Sequence, residues 1–357
     1  MRFGIMFFAA SSADGAQETY RTMVEAAKRA DEGGLAAVWT PERHFDEFGG
    51  VFPNPALTSA ALATVTRRIQ LRAGSLISPL HQTVRIAEEW SAVDNLSGGR
   101  VAVSFGSGWN TNDFVLYPDR YESRHEVMRE QIDTVRRLWA GDSVKLVNGS
   151  GRMTAVRLYP RPVQEQLPVW VTSSGNPQTF VNAGAAGAHL LSHLIGQDID
   201  QLAEKIASYR RARADNGHRP EDGIVSLMLH THLHDDADEA ERRARVPFRE
   251  YLRSAVVLER KSAVGGGTIS GGLRMPEEEI PADVLEELLD MTYERYLRHG
   301  SLIGSPAGCL PMVERLARAG VDEVACLIDF GLTGRQIVEG IDPLVTLAGL
   351  TAQGPVE

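Results

Sequence analysis

Short apolar runs alternate with amphipathic stretches along almost the whole chain. Phe3–Phe8 reads as a first strand. Glu18–Gly34 carries Met23, Ala26, Ala27 and Ala30 at helical spacing and stops at a Gly pair, a natural helix end. The same alternation predicts strand Ala36–Thr40 with helix Asn54–Thr66, strand Ile69–Ser78 with helix Gln82–Leu96, and strand Arg100–Phe105 with helix His125–Gly141. Val144–Tyr159 breaks the rhythm and alternates around Asn148-Gly149, the pattern of a β-hairpin. Strand Val169–Thr172, helix Pro177–Gly187, strand His189–Leu194, helix Ile199–Asn216, strand Ile224–Leu233 and helix Ala237–Ala255 resume it. Residues 261–282 contain Gly265, Gly266, Gly267, Gly271 and Gly272 and read as a long flexible loop. An extra helix Asp283–Arg298, helix Ala307–Ala319, strand Glu323–Asp329 and a last helix near Ile337–Leu347 complete the series.

Eight strands, each followed by a helix, point to an α/β fold of the (β/α)8 TIM barrel type. A doubly wound sheet with an added domain is the competitor, but no segment has the composition of a domain linker. The expectation is one barrel domain over 1–357, with insertions at about 144–160 (hairpin) and 256–300 (loop plus extra helix). Chemistry in such a barrel sits where the strands end.

Composition narrows the function. A net charge of −10 argues against a protein whose main ligand is a nucleic-acid backbone, and 43% hydrophobic residues exclude a disordered chain. Two cysteines, Cys309 and Cys326, exclude a disulfide framework or a Cys-only zinc site and read as core residues. No apolar run reaches the 18 or so residues of a membrane helix. A cytoplasmic protein without a nucleic-acid or membrane partner is expected.

Candidate chemistry follows the strands. After the second comes Glu42-Arg43-His44-Phe45-Asp46-Glu47-Phe48-Gly49, where a His can act as base or hydrogen-bond a reactive oxygen species, or simply pair with its acidic neighbours. Gly74 and Ser75 in the third strand let the backbone approach a flat ligand, or form a bulge. Ser104-Phe105-Gly106-Ser107-Gly108-Trp109-Asn110 makes a plausible ligand wall and is not a P-loop. Thr172-Ser173-Ser174-Gly175-Asn176-Pro177-Gln178-Thr179 opens a helix with several hydroxyls and free N–H groups, which favours a phosphate. His230, His232 and His234 alternate on one strand but lack an evident carboxylate partner beyond Asp235 and Asp236, so packing or substrate contact is preferred to a metal.

The stretch from Glu42 to Gly49 followed by Asn54-Pro55 resembles the bacterial luciferase-like flavin monooxygenases. So do Gly74-Ser75-Leu76-Ile77-Ser78-Pro79, Asp94-Asn95-Leu96-Ser97-Gly98-Gly99-Arg100, Gly106-Ser107-Gly108-Trp109-Asn110 and Pro168-Val169-Trp170-Val171 with Ser173-Ser174. Ser301–Pro306 and Asp322–Gly331 resemble the branch found in natural-product pathways. The resemblance implies reduced FMN from a separate flavin reductase, O2 as co-substrate, and transfer of one oxygen atom through a flavin C4a-peroxide. The substrate would be a biosynthetic intermediate, free or carrier-protein-tethered, and the reaction hydroxylation, N-hydroxylation or Baeyer–Villiger insertion. Luciferase has two adjacent histidines where this chain has Arg43 and His44, so light emission is not implied. By the family match His44 and Arg43 would be catalytic, Gly74, Ser75 and Ser104 would face the flavin ring, and Ser173, Ser174, Gly175, Gln178, Thr179 and Arg124 would hold its phosphate.

The resemblance also implies a cis Gly74–Ser75 peptide and a homodimer through the second and third helices, with Ala56, Ala60, Ala61 and Ala63 on the shared face. Residues 261–282 would form a lid. A deazaflavin F420-dependent hydride-transfer enzyme and a non-catalytic flavin-binding subunit are the alternatives. The absence of Gly-x-Gly-x-x-Gly after the first strand argues against a nicotinamide site.

Overall fold

The structure, a computed structural model, describes residues 1–8, 15–47, 49–264 and 282–352. Eight parallel strands close into a barrel in the order β1 (Arg2–Met6), β2 (Ala37–Thr40), β3 (Gln70–Ile77), β4 (Val101–Gly106), β7 (Val169–Thr172), β8 (His189–His193), β9 (Val225–Leu233) and β11 (Glu323–Leu327), which pairs back to β1. All four residues of β2 and all nine of β9 are buried, as expected where both faces of a parallel sheet are covered. The helices that connect them include α1 (Gly15–Glu32), α2 (Pro55–Ala63), α3 (Thr83–Ser97), α4 (Arg124–Ala140), α5 (Pro177–Ala185) and α6 (Ile199–Asp215). Sequence supplies their ends: Asn54 caps α2 ahead of Pro55, and Gly98 and Gly141 close α3 and α4 in the left-handed conformation. The expected hairpin is β5 (Val144–Val147) with β6 (Met153–Val156).

A buried ion pair fills the barrel core. Arg72 on β3 lies between the rings of Trp39 and Trp170, 4.6 and 4.3 Å from their centroids, and its Nη2 donates to Glu323 Oε2 of β11 at 3.3 Å. Ser226 Oγ of β9 donates to Glu323 Oε1 at 3.1 Å, and Gln70 Oε1 accepts from Arg72 Nε at 3.0 Å. Burial depresses the Arg72 guanidinium, and the Glu323 carboxylate opposes that effect. Two buried aspartates on helices tie down the starts of strands. Asp31 accepts from the N–H groups of Arg67, Arg68 and Ile69 at 2.7 to 2.9 Å, and Asp94 from Val163 and Gln164 at 2.7 and 3.0 Å.

Some expectations are corrected. Beyond β9, α7 (Ala237–Val264) runs past Ala255 and through Pro247, and α8 (Ala282–His299) is the extra helix. A ninth parallel strand, β10 (Ser301–Gly304), pairs with the upper half of β9, Ser301 to Gly304 against His230 to Leu233. Its four residues are too few to show a period. α9 (Pro306–Arg318) precedes β11, and the last helix divides at Gly340 into α10 (Gly334–Glu339) and α11 (Ile341–Ala352). Ala56 and Ala63 are buried within this chain, because that side of α2 packs inward; Ala61 is exposed. The expected lid falls mainly on residues 265–281, outside the described residues. Among the described residues no helix is long and apolar enough to cross a membrane.

Candidate active site

The chain leaving β2 places Glu42 in a fully buried position between two loops. Its Oε1 accepts from His44 Nε2 at 2.9 Å and from His81 Nε2 at 2.6 Å, and its Oε2 from the Ile77 N–H at 2.7 Å. Ile77 ends β3, and His81 follows the short 3-10 turn Ser78–Leu80, so one carboxylate binds the ends of two neighbouring strands. Burial pushes Glu42 up, yet the two imidazole donors and the backbone N–H outweigh it and hold the carboxyl below its usual range. Burial opposes charge on His81, but the hydrogen bond and charge of Glu42 raise it above the ordinary imidazole value. Phe45, next to His44, adopts φ 57°, an uncommon conformation for a bulky residue, and its exposed ring sits 5.4 Å from the His44 ring.

Asp113 approaches from the loop after β4. It is 5% exposed and receives Asn110 Nδ2 at 2.9 Å. Burial pushes it up to about 6, against the pull of His44 and Arg43 and with the repulsion of Glu42. The Arg43 guanidinium stacks 4.2 Å from the centroid of Phe8, two residues beyond β1. Burial depresses it, while Tyr251, Asp113 and Asp46 act in the opposite sense. Gly49, at φ 89°, is obligatory here: a Cβ would lie 2.9 Å from Arg43 Cγ.

Ser75, Ser104 and Thr172 come together from β3, β4 and β7. Thr172 Oγ1 bonds Ser104 Oγ at 2.7 Å and also bonds Ser75 Oγ. Gly74–Ser75 is a cis peptide, as expected. Gly74 pairs with Ser104 in register and lies against the core: a Cβ there would meet Trp39 Cβ at 3.0 Å and Met6 Cε at 3.1 Å.

The turn after β7 has mixed exposure. Ser173 is buried, its Oγ 3.5 Å from the Asn176 carbonyl, and Ser174 is exposed. Asn176 caps α5 by accepting the Gln178 N–H at 2.9 Å, Gln178 Nε2 donates to Asn182, and Thr179 is half-buried. Gly175 takes φ 97°, and a Cβ on it would meet nothing nearer than 3.6 Å, with Gln197 and the Lys205 ammonium at that distance. Lys205 Nζ donates to Gln197 Oε1 at 2.7 Å. The Lys205 ammonium and the N-terminus of α5 thus both border the turn at Gly175. Arg124 is tied to the loop after β4: its Nε donates to the Gly108 carbonyl at 3.1 Å, its Nη1 to that of Tyr121 at 2.8 Å, and it stacks on the Tyr121 ring.

Other polar candidates lie elsewhere. His230 packs among the rings of Phe248, Tyr251, Tyr296 and Phe330, and burial pushes it down to about 3; His232 is pushed down to about 4. Among the described residues no group of three His, Cys, Asp or Glu is placed to hold a metal. Cys309 and Cys326 are free and buried, each pushed up to about 12 by burial, which makes them inert as thiolates. Four residues of the site escaped the sequence reading: Glu42 as a bridge, His81, Asp113 and Lys205. Glu42 and His81 stand at strand ends, which was a usable signal; Asp113 and Lys205 carry none.

The profile of the luciferase-like monooxygenase family matches residues 1–323. The chain belongs to that family. This luciferase-like monooxygenase is 26% identical over 326 residues to the oxygenase component of a flavin-dependent trigonelline monooxygenase from Acinetobacter baylyi, covering 89% of this chain and 85% of the relative. It is 31% identical over 176 residues to an F420-dependent glucose-6-phosphate dehydrogenase from Amycolatopsis mediterranei, 47% of this chain and 51% of the relative. It is 29% identical over 224 residues to 4-hydroxyprotoasukamycin monooxygenase from Streptomyces nodosus subsp. asukaensis, 61% of this chain and 60% of the relative. Among solved structures, monooxygenase RslO1 from Streptomyces bottropensis superposes with a TM-score of 0.79 at 21% identity, covering 99% of this chain and all of that one. The oxygenating constituent of 3,6-diketocamphane monooxygenase from Pseudomonas putida, in complex with FMN, gives 0.76 at 18% identity, covering 100% of this chain and 99% of that one. This luciferase-like monooxygenase is thus an enzyme of the flavin-dependent monooxygenase kind.

Proposed function

We propose that this enzyme uses reduced FMN, delivered by a separate flavin reductase, together with O2 to place one oxygen atom on a natural-product biosynthetic intermediate. Hydroxylation, N-hydroxylation and Baeyer–Villiger insertion are the forms that transfer can take, and a carrier-protein-tethered intermediate is one form of the substrate. The observation that carries the reading is the Glu42-held His44 at the strand ends of the barrel, where this fold does its chemistry. When bound, reduced FMN supplies the electrons that activate O2. Ser75 and Ser104 offer hydroxyls to the polar edge of its ring. Ser173, Ser174, Gly175, Gln178 and Thr179, with Lys205 and Arg124, would receive its phosphate. His44 and Arg43 meet the reacting groups, His44 by holding or moving a proton and Arg43 by favouring an anionic partner. The names of the trigonelline and protoasukamycin relatives support oxygenation, and the words "oxygenase component" support a separate reductase. A homodimer through α2 and α3 belongs to the same reading, with a cytoplasmic location.

The test is incubation of the enzyme with FMN, a flavin reductase, O2 and a panel of small thioesters, followed by mass spectrometry. A gain of one oxygen atom that requires every component is expected. Reduction of substrate without oxygen gain would overturn the reading. The 31% identity to an F420-dependent dehydrogenase favours a second reading, hydride transfer with deazaflavin F420. Under it the protein would retain F420 and not FMN on gel filtration.

A further inference from the structure

We propose that His81 is a positioning residue for His44, acting through the carboxylate they share, so that His44 meets the substrate as a proton acceptor. The inference rests on the reading of His44 as a proton-handling residue and goes beyond it by fixing the direction of transfer.

An ionised carboxylate only accepts hydrogen bonds. Glu42 Oε1 receives both His44 Nε2 and His81 Nε2, and Oε2 is taken by the Ile77 N–H. Both imidazoles must therefore carry hydrogen on Nε2. A neutral imidazole has one N–H and one lone pair, so the lone pair of neutral His44 is on Nδ1. That atom can take a proton, and it can donate only once it has done so. The step is a simple one: the X–H bond of an acidic hydroxyl or activated C–H group breaks, its electron pair stays on X, and the proton binds Nδ1. The imidazolium formed keeps its Nε2–H on the Glu42 carboxylate as an ion pair.

His81 sets how strongly Glu42 favours that imidazolium. With two donors on one oxygen, the negative charge of Glu42 is shared between the two imidazoles. Other groups face the pair. Glu89 of α3 and Arg120 act on His81 with opposite signs, and Arg120 Nη1 and Gln131 Nε2 fix the His81 carbonyl at 2.6 and 3.0 Å. Asp113 and Arg43 act on the His44 side. His81 is thus held in place by its backbone as well as its ring, as a positioning residue requires.

The test uses the full chain. Histidine labelled with nitrogen-15 and examined by long-range proton–nitrogen correlation, with His44→Ala to assign the signal, reads the tautomer without cofactor or substrate. We expect His44 protonated on Nε2 in the wild type and a tautomer mixture in Glu42→Gln. A wild-type His44 protonated on Nδ1 would overturn the proposal. In the loaded enzyme, His81→Leu should move the acidic limb of the pH profile for product formation to higher pH, with roughly three- to tenfold less product at pH 6 and recovery at pH 8.5. His81→Gln, which keeps one N–H for Glu42, should fall between the two and guards against a folding defect. Unshifted limbs in both His81 variants, with His44→Ala inactive, would reject the role of His81 alone. A His44→Ala enzyme with normal product yield would instead reject the reading beneath it.

Discussion

At the scale of single residues, the site is organised by which groups are allowed to be charged. His44→Ala should lower product formation by roughly 10²–10⁴-fold, the usual loss for a general acid or base. Flavin affinity should stay within a few-fold, because the hydroxyl cluster and the α5 turn are separate from it; near-normal product yield with O2 and reductase would refute this. A His44 that served only to pair with Glu42 would instead cost stability on substitution and leave the product yield near normal. Asp113 supplies a second test. Its folded value of about 6 lies above the ordinary 3.8, so the native state keeps a proton that the unfolded chain gives up. Stability contributed here therefore falls as pH rises from 3.8 to 6 and stays low above. Asp113→Asn should gain up to roughly 3 kcal/mol above that window and nothing below it. Urea unfolding at pH 7.5 shows the difference; an unchanged midpoint there would mean the carboxylate is better satisfied than its burial suggests.

At the scale of elements, loops are aligned by polar side chains that reach from one helix or strand end to another. Asp31 of α1 takes three backbone N–H groups at the start of β3, and burial notwithstanding they hold its carboxyl below the usual range. Its contribution is present above the ordinary carboxylate value and is lost as pH falls through the lowered one. Asp31→Ala should cost on the order of 3 kcal/mol at pH 7, since buried donors lose their partner; a change below 1 kcal/mol in urea would contradict this role. Such ties explain what the sequence showed and what it hid. Helix and strand positions were legible because period and caps are local, as at Asn54-Pro55 and Gly98. Glu42 stood in plain view beside His44, yet its partners Ile77 and His81 lie 35 and 39 residues away. No local pattern records such a meeting. β10 was missed for a different reason: its pairing with β9 is decided by the barrel, not by its own four residues.

At the scale of the whole molecule, exposed apolar side chains stand at the first turn of α2 (Leu57, 68%), just beyond its end (Val65, 39%) and in the last turn of α3 (Leu96, 59%). Light scattering at micromolar concentration should give the mass of two chains, and Leu57→Glu should lower it toward one. A wild-type monomer would remove the dimer from the proposed function. The buried Arg72–Glu323 pair has a consequence for how the chain is made. Its partners are 251 residues apart, one on the third strand and one on the last strand of the ring. A chain still on the ribosome can bring Arg72 between Trp39 and Trp170, but it has no counter-charge to offer until residue 323 emerges. An unpaired guanidinium in that layer is costly, so a barrel missing its last strand should stay open. Tryptophan emission from the two flanking indoles would then report the closing of the ring, late and in a single step.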